Sequence, residues 1–173
     1  MLKSGRSATS GKSVPEPQRV YLDANAFIYA LEGTPEVAEP AQLLISELGR
    51  SRAAITSELT LAEVLVKPER LRLFKLKREY LNLLVFTRAI RLVGVSRTIL
   101  QKSAQYRGRV HPEKPDRGEN KRNFLPDAIH VATAIEAGVG FFVARDTRLR
   151  LPREMPRVAP DMAGVRDLLG KLA

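Results

Sequence analysis

Val20-Tyr21-Leu22-Asp23-Ala24-Asn25 is the stretch on which the reading of the chain turns. Three apolar residues, short enough for a buried strand, run into an acid, and residues 25–31 then carry helical spacing up to the breaker Gly33-Thr34-Pro35. A strand that passes directly into a helix is the first half of a βαβ unit, and the same grammar recurs downstream. Ala53-Ala54-Ile55-Thr56 reads as a second strand, with Ser57 as the N-cap of a helix that Pro68 is expected to end after Lys67. Residues 90–95 read as a third strand, with Ser96 capping a helix to about Gln105. Residues 139–144 read as a fourth strand after a helix over 126–137 that stops at Gly138, and residues 157–159 as a short fifth before a helix over 165–172. Between these lie an amphipathic helix opening near Pro40, with Ala41, Leu44, Ile45 and Leu48 on one face, and a longer one over about 69–86 that carries Leu73, Leu76, Tyr80, Leu83 and Leu84. Strands alternating with helices predict an α/β fold, a central parallel sheet of four or five strands flanked by helices on both faces.

In sheets of this kind, ligands bind beyond the carboxyl ends of the strands, near the point where strand order reverses. Asp23 ends the first strand, and Asp146 follows Phe141-Phe142-Val143-Ala144-Arg145. Asp127 falls in the first turn of a helix, where the macrodipole favours negative charge, and Glu63 falls within the helix after the second strand. Each acid also has a plain reading. Asp23 can cap a helix, Asp127 can complement a dipole, Asp146 can be a turn residue, and Thr60-Leu61-Ala62-Glu63 has the form of a capping box. Taken together they point elsewhere, since two unit charges about 4 Å apart repel by roughly 4 kcal/mol at an effective dielectric near 20. Four convergent carboxylates call for a cation, and an all-oxygen donor set selects Mg²⁺ or Mn²⁺.

The background to these acids is basic. Lys plus Arg number 29 against 19 Asp plus Glu, a formal net charge of +10 over 173 residues, so polyanions and above all nucleic acid are the expected partners. With no cysteine, disulfides and thiolate metal sites are excluded, and two histidines, His111 and His130, are too few and too far apart for a histidine zinc site. There is no run of about 18 apolar residues and no signal-peptide core, so a cytoplasmic location without a membrane partner is expected. Residues 1–18, rich in Ser, Gly, Pro, Lys and Arg, are expected to form a flexible basic arm ahead of a single domain over 19–173. Gly11-Lys12-Ser13 does not complete a phosphate-binding loop, because five residues separate Gly5 from Gly11 where four are needed. A charged loop is expected at about 106–124. In it Arg107, Arg109, Lys121 and Arg122 are candidates for tracking a phosphate backbone.

Four segments carry a family resemblance: Val20-Tyr21-Leu22-Asp23-Ala24-Asn25, Ile55-Thr56-Ser57-Glu58-Leu59-Thr60-Leu61-Ala62-Glu63-Val64, Leu125-Pro126-Asp127-Ala128-Ile129-His130-Val131-Ala132-Thr133-Ala134 and Ala144-Arg145-Asp146-Thr147-Arg148-Leu149. In that order, over about 19–160, they resemble the successive motifs of PIN-domain ribonucleases, most closely the VapC toxins of bacterial and archaeal toxin–antitoxin pairs. The resemblance implies a three-layer PIN-like fold and a Mg²⁺- or Mn²⁺-dependent endoribonuclease that leaves 5′-phosphate ends. It further implies a homodimer and a cognate antitoxin that blocks the site. Carried onto this chain, it makes Asp23, Asp127 and Asp146 metal ligands and Glu63 a ligand or the residue that orients the attacking water. Asn25, Ser57 or Thr56, and Thr147 are supporting candidates around them, and His130 is expected to pack or hydrogen-bond. The arm and the long charged segment exceed the compact family pattern. Two other readings compete. A haloacid-dehalogenase-like phosphatase would also place an Asp after a strand, but it wants Asp where Asn25 stands. A catalytically silent PIN-like module would bind RNA or a protein without cutting.

Overall fold

The computed structural model describes residues 18–110 and 125–173. Five parallel strands, β1 (Val20–Leu22), β2 (Ala54–Ser57), β3 (Arg91–Val93), β4 (Phe141–Val143) and β5 (Arg157–Val158), form one sheet in the order β3-β2-β1-β4-β5. Val20 pairs with Ala54 on one side and with Phe141 on the other, so β1 is central. The chain winds outward from β1 through β2 to β3, then returns to place β4 on the other side of β1. The reversal of strand order therefore lies between β1 and β4.

Period-two alternation divides the core into two layers. Val20, Leu22, Ala54, Phe141 and Val143 pack against α1 (Ala24–Glu32), α2 (Pro35–Ser51) and α7 (Met162–Leu172), which contribute Phe27, Leu44, Leu48, Val165 and Leu168. Tyr21, Ile55, Phe142 and Ala144 face the other way, onto Val131 and Ala134 of α6 (Leu125–Glu136). Outside α6, Ile99 of α5 (Arg97–Val110) packs on Ile129 and Ala132. Helices thus cover both faces of the sheet, in the three layers expected. Among the described residues no helix is long and apolar enough to cross a membrane.

Four element boundaries differ from the expected ones. The second amphipathic helix begins at Pro35 and carries Pro40 inside it, and α3 (Leu59–Arg70) continues through Pro68. Both proline rings are buried, and packing offsets the lost backbone hydrogen bond that makes proline a helix breaker in isolation. The helix expected over 69–86 is broken at Arg72, whose φ of 53° stops α3. The chain resumes as α4 (Phe74–Leu81) and a single π turn (Asn82–Phe86). Finally, α5 runs to Val110 rather than Gln105, so the start of the expected charged loop is helix. Arg107 and Arg109 are adequate helix formers, and an exposed Gly108 costs a helix only about 1 kcal/mol relative to alanine. The rest of that loop, with Lys121 and Arg122, and the arm over 1–17 lie outside the described residues.

Candidate active site

The carboxyl ends of β1 and β4 meet at the reversal point, where the Asp23 backbone N–H donates to the Val143 carbonyl at 3.2 Å. Asp23 caps α1 as the sequence allows: one carboxylate oxygen accepts the Ala24 N–H at 2.8 Å. The other accepts the Asn25 side-chain amide at 3.1 Å. These two neutral donors hold the carboxylate at the rim.

Glu63 reaches the same place from α3. Its Oε2 lies 2.7 Å from His130 Nε2, and that nitrogen is 3.8 Å from Asp23 Oδ1, so one imidazole stands beside both acids. On its far side, His130 Nδ1 is 2.7 Å from the Tyr21 hydroxyl, which also accepts the Ser57 backbone N–H at 3.1 Å. With the ring neutral and its proton on Nε2, every group in this chain is satisfied: Ser57 N–H donates to the Tyr21 oxygen, Tyr21 O–H to Nδ1, and Nε2–H to Glu63. Burial works to lower the His130 pKa, but the Glu63 hydrogen bond and the fields of Asp23, Glu63 and Asp127 outweigh it, and the net shift is upward. Tyr21, buried and close to Asp23, is held well above the ordinary phenol value and stays protonated.

Asp127 stands in the first turn of α6. Its carboxyl is pushed up from the ordinary value first by desolvation and then by the negative charge of Asp23, with Asp146 and Glu63 adding and His130 opposing. Asp23, Glu63 and Asp146 therefore all lie close enough to Asp127 for their charge to act on it. Asp146, past the end of β4, is turned toward Arg148: Oδ1 accepts the Arg148 backbone N–H and Nε, and Oδ2 accepts Nη2, each at 2.9 Å. The backbone bond makes it the turn residue that its plain reading described. Among the described residues no three acidic or imidazole side chains stand in a finished metal-binding cluster.

The supporting candidates divide. The Ser57 hydroxyl accepts the Leu59 N–H at 3.2 Å and so helps start α3, while Thr56 donates to the Leu22 carbonyl at 2.7 Å and pins β2 to β1. Ser57 joins the acids through its backbone, not its hydroxyl, because a fully buried side chain in the strand takes the nearest orphan N–H. Thr147 is exposed and lines an open cleft with Asn25, Tyr29, Arg145, Asp146 and Arg148. Arg107 and Arg109 lie in the last turn of α5 and are not among the residues lining that cleft. Sequence reasoning missed Tyr21, Tyr29, Arg145 and Arg148. For Tyr21 there was a signal, since a phenol on a buried strand face needs a polar partner and His130 is the one imidazole on the covering helix.

The donor set suits a hard divalent cation. It is all oxygen, and the Asp127 pKa is raised by burial first and then by the neighbouring negative charge, both of which such an ion would offset. The model of the PIN domain matches residues 20–154, a span that takes in all four acids. The chain belongs to the PIN-domain family. PIN domains are nucleases, hydrolases of phosphodiester bonds that generally use divalent metal ions. No curated protein matches this PIN domain in sequence. Among solved structures it is similar to one described as VapBC2 from Rickettsia felis bound to a DNA fragment from their promoter, with 14% identity and a TM-score of 0.58 over 81% of this chain and 97% of that one. A toxin–antitoxin complex from Klebsiella pneumoniae matches with 18% identity and a TM-score of 0.54, over 82% of this chain and 97% of the other. FitAB bound to an IR36 DNA fragment matches with 18% identity and a TM-score of 0.56, over 82% and 94%.

Proposed function

We propose that this PIN domain is a Mg²⁺- or Mn²⁺-dependent endoribonuclease and the toxin of a VapBC-type toxin–antitoxin pair. The observation that carries the reading is the approach of Glu63 and Asp23 to one imidazole, His130, with Asp127 within range of their charge, at the strand-order reversal of a PIN fold. Asp23, Asp127 and Asp146 would hold the cation, with Glu63 as a further ligand or the residue that orients the attacking water. When bound, the ion supplies an activated water and polarises the phosphoryl group. Glu63 is fixed for its task by His130, which takes one of its oxygens and leaves the other for water, and Asn25 holds Asp23 Oδ2 in the same manner. RNA fits the +10 net charge. The protein partner is proposed by analogy with the toxin–antitoxin complexes of the same fold, and a homodimer and action in the cytoplasm are proposed from the sequence alone. The nuclease unit is proposed to span residues 19–173, with the basic arm before it.

The test is incubation of the purified protein with mixed cellular RNA in Mn²⁺ or in EDTA, followed by mapping of new 5′-phosphate ends. Ends that appear only with Mn²⁺ are expected. Cleavage that is equal in EDTA, or none at all, refutes the reading.

A further inference from the structure

The cleft beside Asp146 contains two arginines in different chemical states. Arg148 directs its whole guanidinium fork and its backbone N–H to Asp146, and so acts as a counter-ion within the acidic group. Arg145 pairs with no carboxylate among the described residues. Instead its Nη1 donates to the Tyr29 hydroxyl at 3.1 Å, and its guanidinium carbon lies 5.8 Å from the centre of the Tyr29 ring. Tyr29 is itself held: it packs against the main core and sits one helical turn after Asn25 on α1, with which it lines the cleft. A solvent-exposed arginine normally has rotamer entropy to lose on binding an anion. One already fixed by a phenol and a ring face has lost part of it beforehand, and its charge stays uncancelled next to a site for a polyanion.

From this geometry we infer that Arg145, positioned by Tyr29, binds a backbone phosphate of single-stranded RNA adjacent to the phosphate that is cut. The inference rests on the ribonuclease reading and adds a subsite to it. The guanidinium carries the phosphate contact. Tyr29 acts through Arg145 and does not touch the RNA, so its effect must vanish when Arg145 is gone.

The experiment is fluorescence anisotropy of a labelled single-stranded RNA oligonucleotide in EDTA, over a salt series, with the full chain. Arg145→Gln is expected to weaken binding about three- to tenfold at low salt and to flatten the plot of log K against log salt by about 0.7, one phosphate contact on a single strand. Tyr29→Phe keeps the ring and its packing but loses the hydroxyl, and a two- to threefold loss is expected. In the double variant Tyr29→Phe should add nothing to Arg145→Gln. An unchanged salt slope in Arg145→Gln overturns the inference, as does an equal Tyr29→Phe effect with and without Arg145. If the wild type cuts RNA with Mn²⁺ while those results fail, the subsite falls and the ribonuclease stands. Absence of RNA binding by all the proteins, together with no Mn²⁺-dependent cleavage by the wild type, overturns both.

Discussion

Asp23 and Asp146 end neighbouring strands of one sheet, yet they are held in opposite ways. Asp23 accepts from neutral donors, the Ala24 N–H and the Asn25 amide, with the titratable His130 3.8 Å away, so its orientation is fixed without a permanent positive charge bonded to it. Asp146 is matched by a full positive charge, Arg148, in a two-pronged pair. The first arrangement prepares a carboxylate for a cation. The second supplies a cation from the chain itself, which any incoming ion must displace. On this view Asp23 is the fixed pole of the centre and Asp146 the adjustable one.

The sharpest way to break that contrast is to neutralise each acid in turn. Asp23→Asn and Asp127→Asn are expected to reduce Mn²⁺-dependent RNA cleavage by about a hundredfold or more with little loss of fold, and Asp146→Asn by roughly tenfold, because part of its charge is already matched. Single-turnover rates beside far-ultraviolet circular dichroism measure this, and equal losses at Asp23 and Asp146 would erase the distinction. Next in size is the buried support behind Asp23 and Glu63. Tyr21→Phe strands the Ser57 N–H and His130 Nδ1 in the core and should cost about 1–3 kcal/mol in urea denaturation, with unchanged stability counting against the hydrogen-bonded chain. Smallest is Arg148→Gln, where an exposed ion pair is worth roughly 0–1 kcal/mol. A loss of stability larger than that of Tyr21→Phe would show that the Asp146 side is the stiffer one.

How much of this was legible in the sequence depends on the range of the interaction. The strands, the acids at their ends and the left-handed stop at Gly138, with φ of 62°, are written in short apolar runs and single punctuating residues. The break at Arg72 is not. Leu76, Tyr80 and Leu84 keep one amphipathic rhythm beyond it, and the φ of 53° at Arg72 is adopted by a residue with no turn signature. Pro40 and Pro68 misled for the opposite reason, a strong local signal overridden by burial. At the site, the family likeness placed all four acids together, but nothing local says that Arg148 turns back onto Asp146 or that Tyr21 meets His130. Those are meetings of side chains 2 and 109 residues apart, settled by rotamer and by packing.

The Ser57 amide has a use beyond holding Tyr21. Its proton is covered by a phenol that is itself tethered to the helix on that face of the sheet. Deuterium can replace it only when the ring swings out, which requires α6 to lift from the strands. One peptide hydrogen, followed by exchange over minutes to hours, therefore keeps time for the opening of the whole layer that carries Asp127.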